Sequence, residues 1–293
     1  MVSTVLVTGA TGHAGSQLAA RLKGGGFRIR ALVRSREQFP AMEAEGWEPV
    51  LGDLSESTGL DSALAGVEFV LHCAARGGPD LAKCRSLNVE GTRALAARAL
   101  QARVKRFVHI STISVYGSEP PSQVDEETPL CTTDPEPYCV TKAEGEVALG
   151  EVRARGLETV VLRPGMITNV VRSQWGNEMV ERIRTRGWVK DFHPDDVNPW
   201  VHTLNLAEMT WLALTHPAAA NDVFLAVDQN VTFREFYGPI AAALGQPVVT
   251  PDRPPQVYHC RVGKIGAQLG YRPVRTFEES VEDLVALAKS PPG

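Results

Sequence analysis

The chain has 293 residues, of which 43% are hydrophobic and 22% charged, and a net charge of −4. This length supports a sizeable core. The weak acidity argues against nucleic acid or an anionic membrane as partner, since both need a basic face. No apolar run reaches the length of a membrane span, and the N-terminus lacks the basic-then-apolar layout of a signal peptide. Five cysteines (Cys73, Cys84, Cys131, Cys139, Cys260) are an odd number without C-x-x-C spacing. Neither a disulfide framework nor a zinc site is expected, and a reducing cytoplasm is.

Strands are predicted over Thr4–Thr8, Arg28–Val33, Glu68–His72, Arg106–Ser111 and Glu158–Leu162. Helical stretches such as Ser16–Lys23 and Thr92–Ala102 lie between them. This alternation implies an α/β fold, a doubly wound parallel sheet covered by helices on both faces. Apolar strands such as V-L-H-C and F-V-H-I suit a sheet buried on both sides. After Pro164 the pattern weakens. Residues 165–200 read as a loop plus a helix outside the sheet, without a clear strand, and V-F-L-A-V (223–227) reads as a strand that rejoins it. Four prolines between Pro247 and Pro255 mark a surface connection, and Thr276–Lys289 reads as an amphipathic helix. The expected division is one sheet-and-helix unit over residues 1–165, rejoined by 200–227, and a smaller, discontinuous region over 166–199 and 228–293.

The first strand runs into T-G-A-T-G-H-A-G, which opens a helix. Gly9 permits a tight turn, Gly12 a close backbone approach to a ligand, and Gly15 close packing of helix on strand. The helix N-terminus then offers unpaired N–H groups to a pyrophosphate. Candidate cofactor contacts here are Gly9, Thr11, Gly12, His13, Ala14 and Gly15. His13 can hydrogen-bond a phosphate or be a plain loop histidine. At the end of the second strand, where an acidic residue would hold both ribose hydroxyls, stands Arg34, nineteen positions after Gly15. A guanidinium suits a 2′-phosphate, so NADP(H) is favoured over NAD(H), with Ser35 and Arg36 as supporting groups. Further along, Y-C-V-T-K places Tyr138 and Lys142 one turn apart on one helix face. An ammonium beside the phenol would favour the phenolate and fit Tyr138 for proton transfer.

The G-x-x-G-x-x-G spacing after Thr8, the segment H-I-S-T-I-S-V-Y-G and the Tyr-x-x-x-Lys helix arrive in one order. Together they resemble the extended short-chain dehydrogenase/reductase superfamily, in its epimerase/dehydratase-like and 3-beta-hydroxysteroid dehydrogenase/dihydroflavonol reductase-like branch. The resemblance covers nearly the whole chain and is strongest over residues 4–165. It implies a Rossmann-type fold and a catalytic set of Thr112, Tyr138 and Lys142, with Ser111 as the alternative to Thr112. Tyr138 and Lys142 would also contact the cofactor, Lys142 at the nicotinamide ribose. Asp53 and Leu54 fall at the adenine, Cys73-Ala74-Ala75 under the cofactor, and Pro164 beside the nicotinamide. Asn88 falls where the family props the active-site backbone. Asn205 stands where the family usually has Asp.

The implied reaction is hydride transfer between nicotinamide and a ketone or secondary alcohol of a small, hydrophobic substrate. A nucleotide-sugar epimerase or dehydratase with bound NAD is the runner-up, and a non-catalytic NADP(H)-binding redox sensor the reading from another class. Substrate candidates are Arg76, Ser114, Met166, Asn169, Trp175 and Trp188, with Asn177, His193 and Trp200 behind them. No metal is expected. Relatives pair through the helices corresponding to Thr92–Ala102 and Tyr138–Arg153, where Ala143, Val147 and Ala148 would allow a homodimer or pack on their own sheet.

Overall fold

The computed structural model describes residues 2–190 and 192–291. In chain order the first half contains β1 (Thr4–Thr8), α1 (His13–Gly24), β2 (Arg28–Val33), α2 (Phe39–Ala44), β3 (Glu48–Leu51) and α3 (Leu60–Leu64). Then come β4 (Phe69–His72), α4 (Leu81–Arg85), α5 (Thr92–Gln101), β5 (Arg106–Ile110), β6 (Gln123–Val124), α6 (Pro137–Arg153) and β7 (Thr159–Pro164). The second half adds β8 (Met166–Thr168), α7 (Asn177–Arg186), β9 (Val197–His202), α8 (Thr203–Thr215), β10 (Val223–Ala226) and β11 (Gln229–Thr232). It closes with α9 (Phe233–Ala243), β12 (His259–Cys260), α10 (Lys264–Leu269) and α11 (Phe277–Lys289).

Seven strands form one parallel sheet in the order β10-β7-β5-β4-β1-β2-β3. Every residue of β1, β5 and β7 is buried, as their mostly apolar and β-branched sequences require when helices cover both faces; the polar exceptions include Arg106, His109 and Arg163. Strand β3 lies at the edge and keeps exposed ends. On α1 the buried residues Gly15, Leu18, Ala19 and Leu22 fall at helical spacing. With Leu206, Met209 and Ala213 of α8 they fill the core on one side of the sheet. The other side is filled by α3, α5 and α6, through residues such as Leu60, Leu95, Ala99 and Leu149. A third core lies among α7, α9 and α11, around Trp200, Phe236 and Tyr237. Capping boxes, Thr232 with Glu235 and Thr276 with Glu279, start α9 and α11.

The strand at 223–227 rejoins the sheet as β10, paired in parallel with β7. The region 165–200 differs from expectation. It contains β8 and begins β9, which form a second sheet with β11 in the order β11-β9-β8. β8 is three residues long and β9 carries Pro199, which cannot donate to a ladder, so neither shows a strand pattern. Among the described residues, no helix is long and apolar enough to cross a membrane. Ala143 and Ala148 are fully buried within their own chain, while Val147 is exposed.

Candidate active site

The glycine loop joins β1 to α1. Gly9 has φ +69°, and a Cβ there would come within 2.8 Å of Ala74 N. A Cβ on Gly15 would lie 2.2 Å from Gly9 O, so the helix reaches the strand only without a side chain. Gly12 caps α1 with no side-chain cap bond, and the first turn holds no acidic residue. The positive end of the helix is therefore open to an anion. Beside it lies a cavity of about 320 Å³, lined by Gly9, Thr11, Gly12, Arg34, Asp53, Leu54, Cys73, Ala74 and Ala75 among others. Gln38 lines it too. Its Oε1 accepts from the backbone N–H of Arg34 and Ser35, which fixes the turn after β2. A strand-loop-helix cradle, closed to any Cβ at Gly9 and Gly15 and flanked by an exposed arginine, fits a dinucleotide.

Ala75 also lines a second cavity of about 790 Å³, so the two spaces adjoin. Its walls include His13 and Ala14 from the loop, Ser111, Thr112 and Ser114 from the end of β5, Tyr138 from α6, and Pro164 and Met166 from β7 and β8. Pro137 sits in the first turn of α6, where its fixed φ and missing N–H cost nothing, and this brings Tyr138 to the cavity wall. Thr112 caps the short turn after β5, its hydroxyl accepting from Ser114 N at 3.1 Å. Tyr138 and Thr112 line the same cavity. Burial raises the Tyr138 pKa, and the Thr112 hydroxyl opposes the rise. Ser111 is otherwise engaged, since its hydroxyl donates to Glu146. Both hydroxyls proposed for the substrate oxygen line the cavity, Thr112 bonded to Ser114 and Ser111 to a carboxylate.

Lys142 is placed differently from expectation. It lines neither cavity and is 2% exposed. Its Nζ donates to Ile110 O at 3.0 Å and lies 3.2 Å from His109 Nε2. Burial lowers its pKa to about 8, with the Glu146 charge acting the other way. The groups around it are neutral histidines. Burial, with Lys142 adding to it, takes His72 to about 3 and His109 well below the ordinary value. The two rings stack at 5.1 Å. His72 spans from Thr8 Oγ1 (2.7 Å) to Thr92 Oγ1 (3.0 Å), which couples the end of β1 to α5. Hydrogen bonds and the stacked rings thus connect Thr8, Thr92, His72, His109 and Lys142 in the interior. The expected pairing of Lys142 with Tyr138 is not among its bonds, because the side chain turns inward to the carbonyl that ends β5.

Other predicted residues have structural posts. Asn88 lines neither cavity. It holds both the N–H and the C=O of Arg76 (2.8 and 2.9 Å) and donates to Thr141, so it props the backbone and does not face the cofactor. Arg76 lies at the glycine-loop cavity, not the one bounded by Tyr138. Ser35 does not line the cofactor cavity. Arg36 lies over the Phe39 ring at 5.7 Å. Asn169 accepts from Val170 N and shapes a turn. Asn177 accepts from Ser173 N and His193 from Asp195 N. Trp188 and Trp200 are core residues. Trp175 does line the cavity, as do Arg172, Gln174 and Glu178, which carry no motif in the sequence. Asn205 is fully buried, donates to Asp228 Oδ2 and Arg275 O, and accepts from Val274 N and Arg275 N. An aspartate could not donate there and would face a second carboxylate. Among the described residues, no group of three or more His, Cys, Asp or Glu could hold a metal.

The fold and the cradle define an enzyme that uses a nicotinamide dinucleotide. The family model described as the NAD dependent epimerase/dehydratase family matches residues 5–226. The chain belongs to that family, within the extended short-chain dehydrogenases/reductases. It is 32% identical over 235 residues to a 4-hydroxy-2-methyl-3-oxo-4-farnesyl-3,4-dihydroquinoline-1-oxide ketoreductase of Stigmatella aurantiaca, covering 78% of this chain and 70% of that protein. It is 29% identical over 259 residues to a UDP-glucose 4-epimerase of Vibrio cholerae, covering 84% and 77%. Among solved structures, a short-chain dehydrogenase/reductase superfamily protein of Agrobacterium tumefaciens with bound NAD superposes with a TM-score of 0.82. That pair is 27% identical, over 97% of this chain and 96% of the other.

Proposed function

We propose that this protein is an NADP(H)-dependent oxidoreductase acting on a ketone or secondary alcohol, with Tyr138 as the acid/base. The observation that carries this reading is that Thr112 and Tyr138 line one cavity, which adjoins the glycine-loop cradle through Ala75. The nicotinamide, when bound, supplies or accepts the hydride. Thr112 orients the substrate oxygen, and Tyr138 exchanges a proton with it. Lys142, one turn along α6, supports the site with its charge from the end of β5. Residues 1–165, with 200–227, hold the cofactor, while 166–199 and 228–293 supply the substrate side.

Preference for the phosphorylated cofactor rests on Arg34, exposed at the rim of the cradle where a ribose-binding carboxylate would otherwise stand. The similar ketoreductase supports reduction. The similar UDP-glucose 4-epimerase supports the second reading, in which NAD stays bound through the cycle. Purified protein mixed with NADPH and a panel of ketones, aldehydes and nucleotide sugars separates the two. Stoichiometric consumption of NADPH by a ketone supports the reductase. Retained NAD, with interconversion of a nucleotide sugar and no net oxidation, supports the epimerase.

A further inference from the structure

Trp175 lines the reaction cavity on one side and a separate cavity of about 560 Å³ on the other. Tyr258 also lines this further cavity, and its hydroxyl donates to the carbonyl of Ile113, a residue of the reaction cavity wall, at 2.7 Å. The two spaces therefore share walls at two points. The further cavity has an aromatic flank. Trp175 stacks on Phe192 with centroids 6.2 Å apart, and Phe192 on Phe233 at 4.2 Å and 16°. Val197 and Val257 continue the apolar surface.

Its charge balance is unusual for a site next to a dinucleotide. The charged residues lining it are Glu119, Asp196 and Arg253, two carboxylates against one guanidinium. Arg253 is bound to Asp196, with Nη1 2.9 Å from Oδ1. The basic residues of α7 give no help. Arg182, Arg184 and Arg186 line neither space, and Arg184 is held by Glu181 and by the carbonyls of Leu287 and Ser290. A diphosphate placed here would meet two carboxylates and a committed arginine, which is unfavourable in a partly desolvated pocket. An uncharged chain or ring would meet aromatic faces and valines beside the neutral Ser118, Ser122, Asn198 and Gln256, at a volume usual for small-molecule sites.

We propose that this cavity is the binding site for an uncharged aliphatic or aromatic tail of the substrate, whose carbonyl end lies at Tyr138. The proposal rests on the reductase reading for the carbonyl end, but the tail site can be measured without turnover. The probes are 2-butanone, 2-hexanone, 2-octanone and 2-decanone, titrated into the protein with NADP+ present and followed by calorimetry. Each added methylene that enters the cavity should tighten binding about fourfold. UDP should not bind there. Val257 is exposed, so Val257→Glu should leave the fold intact while placing a charge on the wall. That variant should bind 2-butanone as before and lose the gain of the longer ketones. Flat affinity across the series, UDP binding that Val257→Glu weakens, or an unchanged chain-length gain in the variant each overturn the proposal. Absence of NADPH oxidation by any of these ketones would count against the reductase reading alone, since the binding slope is read independently.

Discussion

Replacing Glu146 by Gln separates the structural and the chemical work of one buried carboxylate. Both members of the Glu146–Arg163 pair have side chains 5% exposed, and Arg163 Nη2 lies 2.7 Å from Glu146 Oε2. Arg163 Nε donates to the same carboxylate (3.1 Å), while Nη1 donates to Tyr116 Oη (2.7 Å) and Glu126 O (3.1 Å). Burial works against the guanidinium charge, and the Glu146 carboxylate beside it more than compensates, raising the Arg163 pKa. Without that carboxylate the charge of Arg163 stays buried and uncompensated. Losing one partner of such a pair costs about 3–5 kcal/mol. Gln keeps an oxygen for Ser111 and Arg163, which places the expected loss near the lower figure. That is a large share of a typical stability of about 5–15 kcal/mol.

The same carboxylate holds the Lys142 pKa up against the burial that brings it to about 8. Glu146→Gln should therefore lower it further and move the alkaline limb of kcat/KM to lower pH. Urea unfolding followed by tryptophan fluorescence measures the first effect, and a pH series on ketone reduction the second. A stability loss below about 1 kcal/mol, the range of an exposed pair, would refute the burial argument. An unmoved alkaline limb would refute the link to Lys142.

Gly15→Ala forces a Cβ to 2.2 Å from Gly9 O. The loop must open, and the affinity for reduced cofactor, measured by nicotinamide fluorescence, should fall at least about tenfold. Arg34→Glu should reverse the cofactor preference, shifting the NADPH-to-NADH ratio of kcat/KM by about ten- to a hundredfold, the worth of a hydrogen bond to a charged group. Lys142→Met tests the buried ammonium through stability. The folded-state pKa of Lys142 lies below its ordinary value, so its charge opposes folding fully below about pH 8. That opposition is relieved as pH rises from about 8 towards 10.5. Wild type should gain stability over that window relative to Lys142→Met in urea melts, and parallel curves would contradict the burial of a charged amine.

The parts of the fold legible in the sequence are those where local pattern and global role agree. β1 is β-branched and apolar because both its faces are covered. α1 shows its buried stripe at helical spacing, and Gly9 and Gly15 stand where backbone meets backbone. Thr112 was reached by resemblance, from its place ahead of Tyr116-Gly117, and it lies on the cavity wall with Tyr138. β8 and β9 were hidden because their pairing is long-range, and Pro199 removes the local strand signature. Trp188 and Trp200 look alike to Trp175 in sequence, and only burial separates two core rings from one cavity wall. The inward turn of Lys142 depends on a carbonyl on β5 and a histidine beside it, both distant in sequence from α6.

The central claim is that the Tyr138 phenol, on the cavity wall with Thr112, transfers the proton while leaving cofactor binding to other residues. The direct test compares wild type and Tyr138→Phe in two assays on the same samples: oxidation of NADPH by a reducible ketone, and NADPH binding by fluorescence titration. The account predicts a loss of about 10²–10⁴ in kcat with the cofactor Kd little changed. A variant that still turns over at the wild-type rate, with the same Kd, would contradict it.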